Sequence, residues 1–241
     1  MEFIGYADQV LQQYRLMERK YLEGAEVRQK FSVSMQHYTF AVHAFVKLVR
    51  QLSGENYEFA LCETKTIQVL EDVRNLVSEI GVLYVNSGNQ NVMARYFRDY
   101  GLRFEPLLEC GIYTYLWKEH PLAGRDSVTL ESLSDYICLS FDQGVGNPWF
   151  FSEEVVNTDR FSRRIRVSDR ATVLNLLAGL NAFILCSGKI EEAYNTDGFV
   201  AVPVDTEERM TVGCVTRKNA PVSMIGRKYL DLLRETIGEE K

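Results

Sequence analysis

Five short polar stretches carry whatever chemistry this sequence holds: Ser34-Met35-Gln36, Thr64-Lys65-Thr66, Asn86-Ser87, Ser140-Phe141-Asp142-Gln143 and Ser168-Asp169. Each follows an apolar run with strand character, and most precede a helical stripe. A strand that feeds a helix through such a corner aims free backbone N–H groups and hydroxyls at one point, where the helix N-terminus already carries partial positive charge. The chemistry on offer is hydrogen-bond donation to a polar or anionic ligand. One such corner is explained by helix capping alone, since Ser, Thr and Asp are favoured N-caps. Several of them, set on two lobes, call for more than capping. Lys65 adds to this: a lysine at a helix start opposes the helix dipole but suits a carboxylate or phosphate.

Bond-making chemistry has no comparable support. His37 sits at the first corner, His43 on the helix after it, and His120 in a turn before Pro121. No local motif sets a Ser, Cys or carboxylate beside any of them. GxSxG, Walker and GxGxxG patterns are missing, and Gly144-Val145-Gly146 lacks the rest of a dinucleotide fingerprint. The cysteines (Cys62, Cys110, Cys138, Cys186 and Cys214) are scattered and odd in number, with no CxxC pair or His/Cys cluster. They read as buried free thiols of a reducing cytoplasm. No catalytic residue, metal ligand or cofactor is expected. Trp117, Trp149, Phe150 and Phe151 suit either a core or a cleft wall.

The elements that position the corners follow from periodicity. Residues 2–23 carry Phe3, Ala7, Val10, Tyr14, Met17 and Tyr21 in alternating steps of four and three, the seam of an association helix, with Gly24 as its C-cap. Phe31 and Val33 alternate with Ser32 and Ser34, as in a half-buried strand; Ala41, Val42, Phe45, Val46 and Val49 then form a helical stripe. Residues 57–62 are a second strand. Ile67, Leu70, Val73, Val77 and Ile80 make the next helical stripe, and residues 82–85 and 92–100 add a strand and a short helix. This β-α alternation is that of parallel strands with crossovers.

Beyond it, Pro106 and Gly111 divide residues 102–117 into two strands, Thr129 caps a short helix over 130–133, and residues 136–139 form a strand. Residues 144–148 form a flexible loop. A strand over 164–167, a helix from Thr172 and a strand over 182–186 follow. Strands over 199–204 and 210–216 are able to pair across the charged turn 205–209, and a helix over 222–237 closes the chain. The expected layout is a linker and dimerisation helix over 1–29, a first lobe from 30–109 and 204–241, and a second lobe from 110–203, with a ligand cleft between them.

Length and charge bound the rest. The 241 residues are 46% hydrophobic and 25% charged, ordinary for a globular protein. The net charge of -6 argues against direct binding to nucleic acid, which needs a clustered positive surface. No secretory signal and no run of ~18 apolar residues is present, so the chain is expected in the cytoplasm and away from membranes.

The order of these elements resembles the effector-sensing half of LysR-type transcriptional regulators. The most specific likeness is Trp117-Lys118-Glu119-His120-Pro121-Leu122-Ala123-Gly124 followed by Val128-Thr129-Leu130-Glu131-Ser132-Leu133, similar to that family's strand, HPLA turn and short helix. Residues 2–21 resemble its linker helix, and residues 168–179 its second-lobe helix entry. The resemblance implies an α/β fold of two Rossmann-like lobes with a central cleft, as in type 2 periplasmic binding proteins, preceded by a long linker helix. It implies effector contacts from Ser34 and Met35, from Thr64, Lys65 and Thr66, and from Ser140, Phe141, Asp142 and Gln143; Gln36, Asn86 and Ser168 join them as corner residues. The partners implied are a small effector such as a carboxylate, a homodimer or tetramer, and DNA only through an N-terminal winged helix-turn-helix that these residues do not include. Residues 179–181 and 186–188 depart from the family's Gly-rich turn and following Pro. A solute-binding protein of a transport system shares the fold, and an enzyme on the same scaffold is the third reading.

Overall fold

The computed structural model describes residues 10, 11, 14, 28–52, 56–144, 149–188 and 198–238. Val10 and Tyr14 are helical and 67% and 58% exposed. The rest of the proposed seam, its Gly24 cap and loop residues 145–148 lie outside the described residues.

The chain forms two sheets. Strand β1 (Gln29–Met35) is central to the first and pairs in parallel with β2 (Tyr57–Glu63) and β3 (Ile80–Val85). A strand with parallel neighbours on both sides is covered on both faces. Phe31 meets helix α1 (Thr39–Arg50) through Phe45, and the C-terminal helix through Tyr229, with ring centroids 6.2 and 5.6 Å apart. The opposite face meets α2 (Thr66–Arg74) and the turn after it. Ser32 Oγ donates to the Val77 carbonyl, and Ser34 Oγ donates to Asp72 at 2.6 Å and lies 2.7 Å from Ser78 Oγ. The alternation is real, but its polar half faces a helix rather than water.

Helix α2 stops at Arg74, and Leu76 takes a left-handed φ of 62°. Val77 is therefore exposed, and Ile80 opens β3 instead of continuing the helical stripe. Helix α3 (Gln90–Asp99) leads into β4 (Leu102–Cys110), which keeps Pro106 within it. Pro is tolerated there because β4 is an edge strand.

The second sheet contains β5 (Tyr113–Trp117), β6 (Val128–Thr129), β7 (Cys138–Phe141), β8 (Arg164–Val167), β9 (Phe183–Cys186) and β10 (Phe199–Asp205), in the order β6-β10-β5-β9-β7-β8. Helices α4 (Leu130–Leu133) and α5 (Arg170–Leu180) accompany it. Thr129 caps α4 with a reciprocal box: Ser132 N–H donates to Thr129 Oγ1 at 3.1 Å, and Thr129 N–H donates to Ser132 Oγ at 3.2 Å.

Strand β11 (Met210–Arg217) returns to the first sheet, whose order is β2-β1-β3-β11-β4, and helix α6 (Met224–Gly238) ends the described chain. Strands β10 and β11, which the sequence allows to pair, lie in different sheets. The charged turn between them is a crossover: β10 lies antiparallel to β5 in one sheet, and β11 antiparallel to β3 and β4 in the other.

The HPLA turn has a structural task. His120 Nε2–H donates to the Asn181 carbonyl at 3.1 Å, and its Nδ1 accepts from Leu122 N–H at 3.1 Å. Asn181 ends α5 in the left-handed region, φ 47°, where Asn substitutes for the usual glycine. Its side-chain oxygen accepts from the Trp117 indole at 2.6 Å. Burial lowers the His120 pKa and favours the neutral ring that this pair of bonds requires.

Candidate functional site: the interlobe cleft

Helices α1 and α2 both start at the cleft, and neither brings its own cap. Their N-cap residues, Tyr38 and Lys65, make no side-chain capping bond, and neither first turn holds an acid. Helix starts leave N–H groups unsatisfied, and here the opposite lobe supplies acceptors. Thr66 N–H donates to Gln143 Oε1 at 2.9 Å. His37 N–H, just ahead of α1, donates to Glu153 Oε2 at 3.0 Å. The His37 Nδ1 lies 2.9 and 3.1 Å from the two Glu153 oxygens, and Gln143 Nε2 donates to Glu153 Oε1 at 3.0 Å. The His37 and Glu153 side chains are each only 7% exposed. The imidazole stacks flat on Phe141, centroids 3.5 Å apart.

Gln36 joins three walls of this site. Its Nε2 donates to Thr66 Oγ1 at 2.6 Å, and its Oε1 accepts from Tyr38 O–H and Tyr84 N–H, both at 3.1 Å. Thr66 Oγ1 in turn donates to the Phe151 carbonyl at 2.7 Å. A fully buried amide with both ends engaged fixes the relative placement of the β1, β2 and β3 corners.

The filling of the cleft is the segment 149–154, which follows β7. It opens with a 3-10 turn, Trp149–Phe151. Trp149 lies over Gly88 at the β3 corner so closely that a Cβ on Gly88 would fall 2.7 Å from the indole. Phe151 is buried in the apolar cluster of Val69, Leu70, Leu83 and Met93, with Tyr96 edge-on at 5.4 Å. Tyr84 O–H donates to the Ser152 carbonyl at 2.9 Å. Glu154 is 4% exposed; it accepts from Phe141 N–H at 2.9 Å and from Ser152 O–H at 2.5 Å. Burial pushes its carboxyl up to about 7 against these two bonds. Two ion pairs clasp the lobes at the rim: Lys65 with Asp142 at 3.2 Å, and Arg170 at the start of α5 with Glu63 at the end of β2. The Lys65 ammonium beside Asp142 holds that carboxyl below the usual range.

The structure brings Gln36, Lys65, Thr66, Phe141, Asp142 and Gln143 together across the cleft. Met35 is fully buried in the core on the α1 face, and Ser34 is committed to Asp72 and Ser78 beneath the sheet. Thr64 donates its N–H to the Met35 carbonyl at 2.8 Å. Asn86 closes its own turn, accepting from Gly88 and Asn89 N–H at 3.1 and 2.9 Å. Ser140 lines a cavity of about 190 Å³ together with Gln143, Ser152 and Arg166. Ser168 is exposed at the end of β8, where Asp169 is the N-cap of α5. His37, Tyr84, Ser152, Glu153 and Glu154, which no local motif marks, also lie at the cleft. A donor and acceptor 116 positions apart, as in the His37–Glu153 pair, leave no local signal to find.

Two α/β lobes whose strand ends and helix starts face each other across a cleft are the architecture of bilobal small-molecule-binding domains. A profile described as the LysR substrate binding domain matches residues 35–238, and the chain belongs to that family. Similar solved structures include HinK, a LysR family transcriptional regulator from Pseudomonas aeruginosa, 16% identical with a TM-score of 0.60 over 98% of this chain and 79% of that one. The Corynebacterium glutamicum OxyR C206 mutant is 16% identical, TM-score 0.61, over 97% and 71%. The effector binding domain of QuiR in complex with shikimate is 16% identical, TM-score 0.56, over 86% and 96%. At such identity the likeness is one of fold. No curated protein matches the chain. Among the described residues, no helix is long and apolar enough to cross a membrane, and no group of three or more His, Cys, Asp or Glu side chains is placed to hold a metal ion.

Proposed function

We propose that this chain is the ligand-sensing and dimerisation portion of a cytoplasmic LysR-type transcriptional regulator. It takes a small polar or anionic metabolite between its lobes and passes the resulting change in lobe geometry to DNA-binding parts and to a second subunit. The observation that carries this is the meeting of two uncapped helix starts, α1 and α2, at one buried point where Glu153 and Gln143 of the other lobe accept from His37 and Thr66 N–H. Such a point recognises acceptors and negative charge. In this reading the point serves binding: backbone and amide donors and a ring stacked on Phe141 converge on one carboxylate. Family membership and a fold neighbour in complex with shikimate support a small-molecule ligand. The acidic balance of -6 supports DNA contact through other parts of the regulator. The exposed apolar residues Val10, Leu11 and Tyr14 support subunit association through the N-terminal helix.

The ligand contacts in this reading are Lys65, Thr66, Phe141 and Gln143, with Gln36 holding Thr66 in place from behind. A thermal-shift screen of cytoplasmic metabolites is the test; a ligand at 100 times its dissociation constant adds roughly 2.7 kcal/mol. Gln143→Ala is expected to weaken a confirmed hit about tenfold, the equivalent of one hydrogen bond of ~1.4 kcal/mol. A hit whose affinity survives both Gln143→Ala and Thr66→Ala binds elsewhere, and the site assignment then fails.

A further inference from the structure

The carboxylate of Glu153 sits where a ligand would. It is nearly buried, and it takes a backbone N–H at the mouth of α1, a ring nitrogen of His37 and the amide of Gln143 within 2.9–3.1 Å. Helix α1 supplies no acid or cap of its own, so the charge at its start comes from the opposite lobe, 116 positions away. The segment bearing Glu153 is pinned beside it by Phe151 in the first-lobe core and by Tyr84 on the Ser152 carbonyl. Next to it lies the cavity of about 190 Å³. Gln143 belongs to both the Glu153 contact and the cavity wall. Ser140, 8% exposed, lines the cavity, where a polar group of an entering molecule comes within reach of its hydroxyl.

We propose that Glu153 is a built-in ligand of the interlobe site, and that an external carboxylate enters only by exchanging with it. This rests on the cleft being the sensing site. The incoming acid takes over His37 and Gln143, its body occupies the adjoining cavity against Ser140, and the Glu153 arm swings out about the anchored Phe151. An internal carboxylate tethered close to its site acts as a competitor at high effective concentration. It therefore sets a threshold: only an acid that gains further contacts in the cavity displaces it. Neutral isosteres of that acid gain nothing at the α1 mouth, because the charge is what the helix start recognises.

Chemical rescue tests this without knowledge of the effector. Glu153→Ala deletes a side chain whose end is close in shape to propionate. The full-length variant is expected to melt lower than the wild type, and sodium propionate is expected to raise its melting temperature. Propionamide and sodium chloride at equal ionic strength are expected to leave it unchanged. Wild type, its site already filled, is expected to show no response to propionate. Adding Gln143→Ala to the variant is expected to abolish most of the rescue. If Glu153→Ala does not fold, Glu153→Ser leaves the same gap with a more soluble side chain and is read in the same way. Equal responses to propionate and propionamide, or equal responses of variant and wild type to propionate, overturn the proposal. A carboxylate effector found by screening is expected to bind Glu153→Ala about tenfold or more tightly than wild type; equal affinity overturns exchange while leaving the sensing function intact. Rescue by propionate with no metabolite bound in any screen has the opposite meaning, upholding the built-in ligand and counting against sensing.

Discussion

Glu154, the neighbour of the built-in carboxylate, is buried among Phe141, Ser152 and the backbone of its own turn, and its carboxyl is raised to about 7. Burial is the first cause; the charge of Glu153 adds to it, and the hydrogen bonds from Ser152 and Phe141 oppose it. A carboxyl raised from 4.5 on folding holds its proton in the native state after the unfolded chain has lost it. Between those two pH values the native state binds more protons, so stability falls as pH rises from about 4.5 to about 7, by a total on the order of 3 kcal/mol. Glu154→Gln removes the titration while keeping the bonds: the amide oxygen accepts from Phe141 N–H, and the amide nitrogen donates to Ser152. The variant is expected to be more stable than wild type at pH 8 and to show a flatter stability profile from pH 5 to 8. Parallel denaturation midpoints for the two proteins across that range would refute the assignment. The same scale shows what local sequence leaves unseen. Ser34 looks like a corner ligand by its place at a strand end, yet its hydroxyl is turned under the sheet to Asp72, because both faces of a central parallel strand are covered. His37 looks like a residue without a partner, yet its partner comes from the other lobe.

Among the elements, the helices were legible from a 3.6-residue period, and α1, α5 and α6 lie where that period places them. The buried residues of α1 are nonetheless Phe40, Ala41, Ala44 and Leu48, and of the expected stripe only Ala41 is among them. Strand partners were not, since a period of two says which face is buried and nothing about which strand lies alongside. That is why β10 and β11 are open to pairing by sequence and are in fact joined by a crossover. Pro106 read as a break because a central strand cannot accommodate proline; as part of edge strand β4 it faces Gly213 of β11, where the register shifts between Val212 and Gly213. Gly213 is required there. A Cβ would lie 2.4 Å from the Glu105 carbonyl oxygen and 2.5 Å from the Phe104 ring, and the first of these is backbone that cannot swing aside. Gly213→Ala is expected to cost roughly 2–3 kcal/mol, in line with other overpacked core sites. A urea unfolding midpoint within error of wild type would show that β4 shifts freely and that the contact is not binding the two strands in register.

For the molecule as a whole, the two α/β lobes were legible in the alternation of elements and its change after the first three β-α units, but the contents of the cleft were not. What closes the lobes is a set of contacts between residues 77–116 positions apart: Thr66 with Gln143, and His37 with Glu153. The Lys65–Asp142 pair at the rim adds little. Lys65 and Asp142 are about two-fifths exposed, 42% and 36%, and such pairs are worth ~0–1 kcal/mol and weaken with salt. Closure is therefore governed by the buried hydrogen bonds, and it has a signature in amide exchange. The His37 and Thr66 N–H groups bond only across the cleft, whereas their near neighbours Gln36 and Thr64 donate within the first lobe, to the carbonyls of Val82 and Met35 at 3.0 and 2.8 Å. Opening the lobes frees the first pair and leaves the second protected, a sub-global motion distinct from unfolding. The Gln143→Ala/Glu153→Ala double variant is expected to exchange faster at His37 and Thr66 by at least about tenfold, with Gln36 and Thr64 unchanged, and raising the salt concentration in wild type is expected to do much less. If all four amides accelerate together, the lobes do not open as units, and the coupling of ligand to subunit geometry must run through partial unfolding of the first sheet instead.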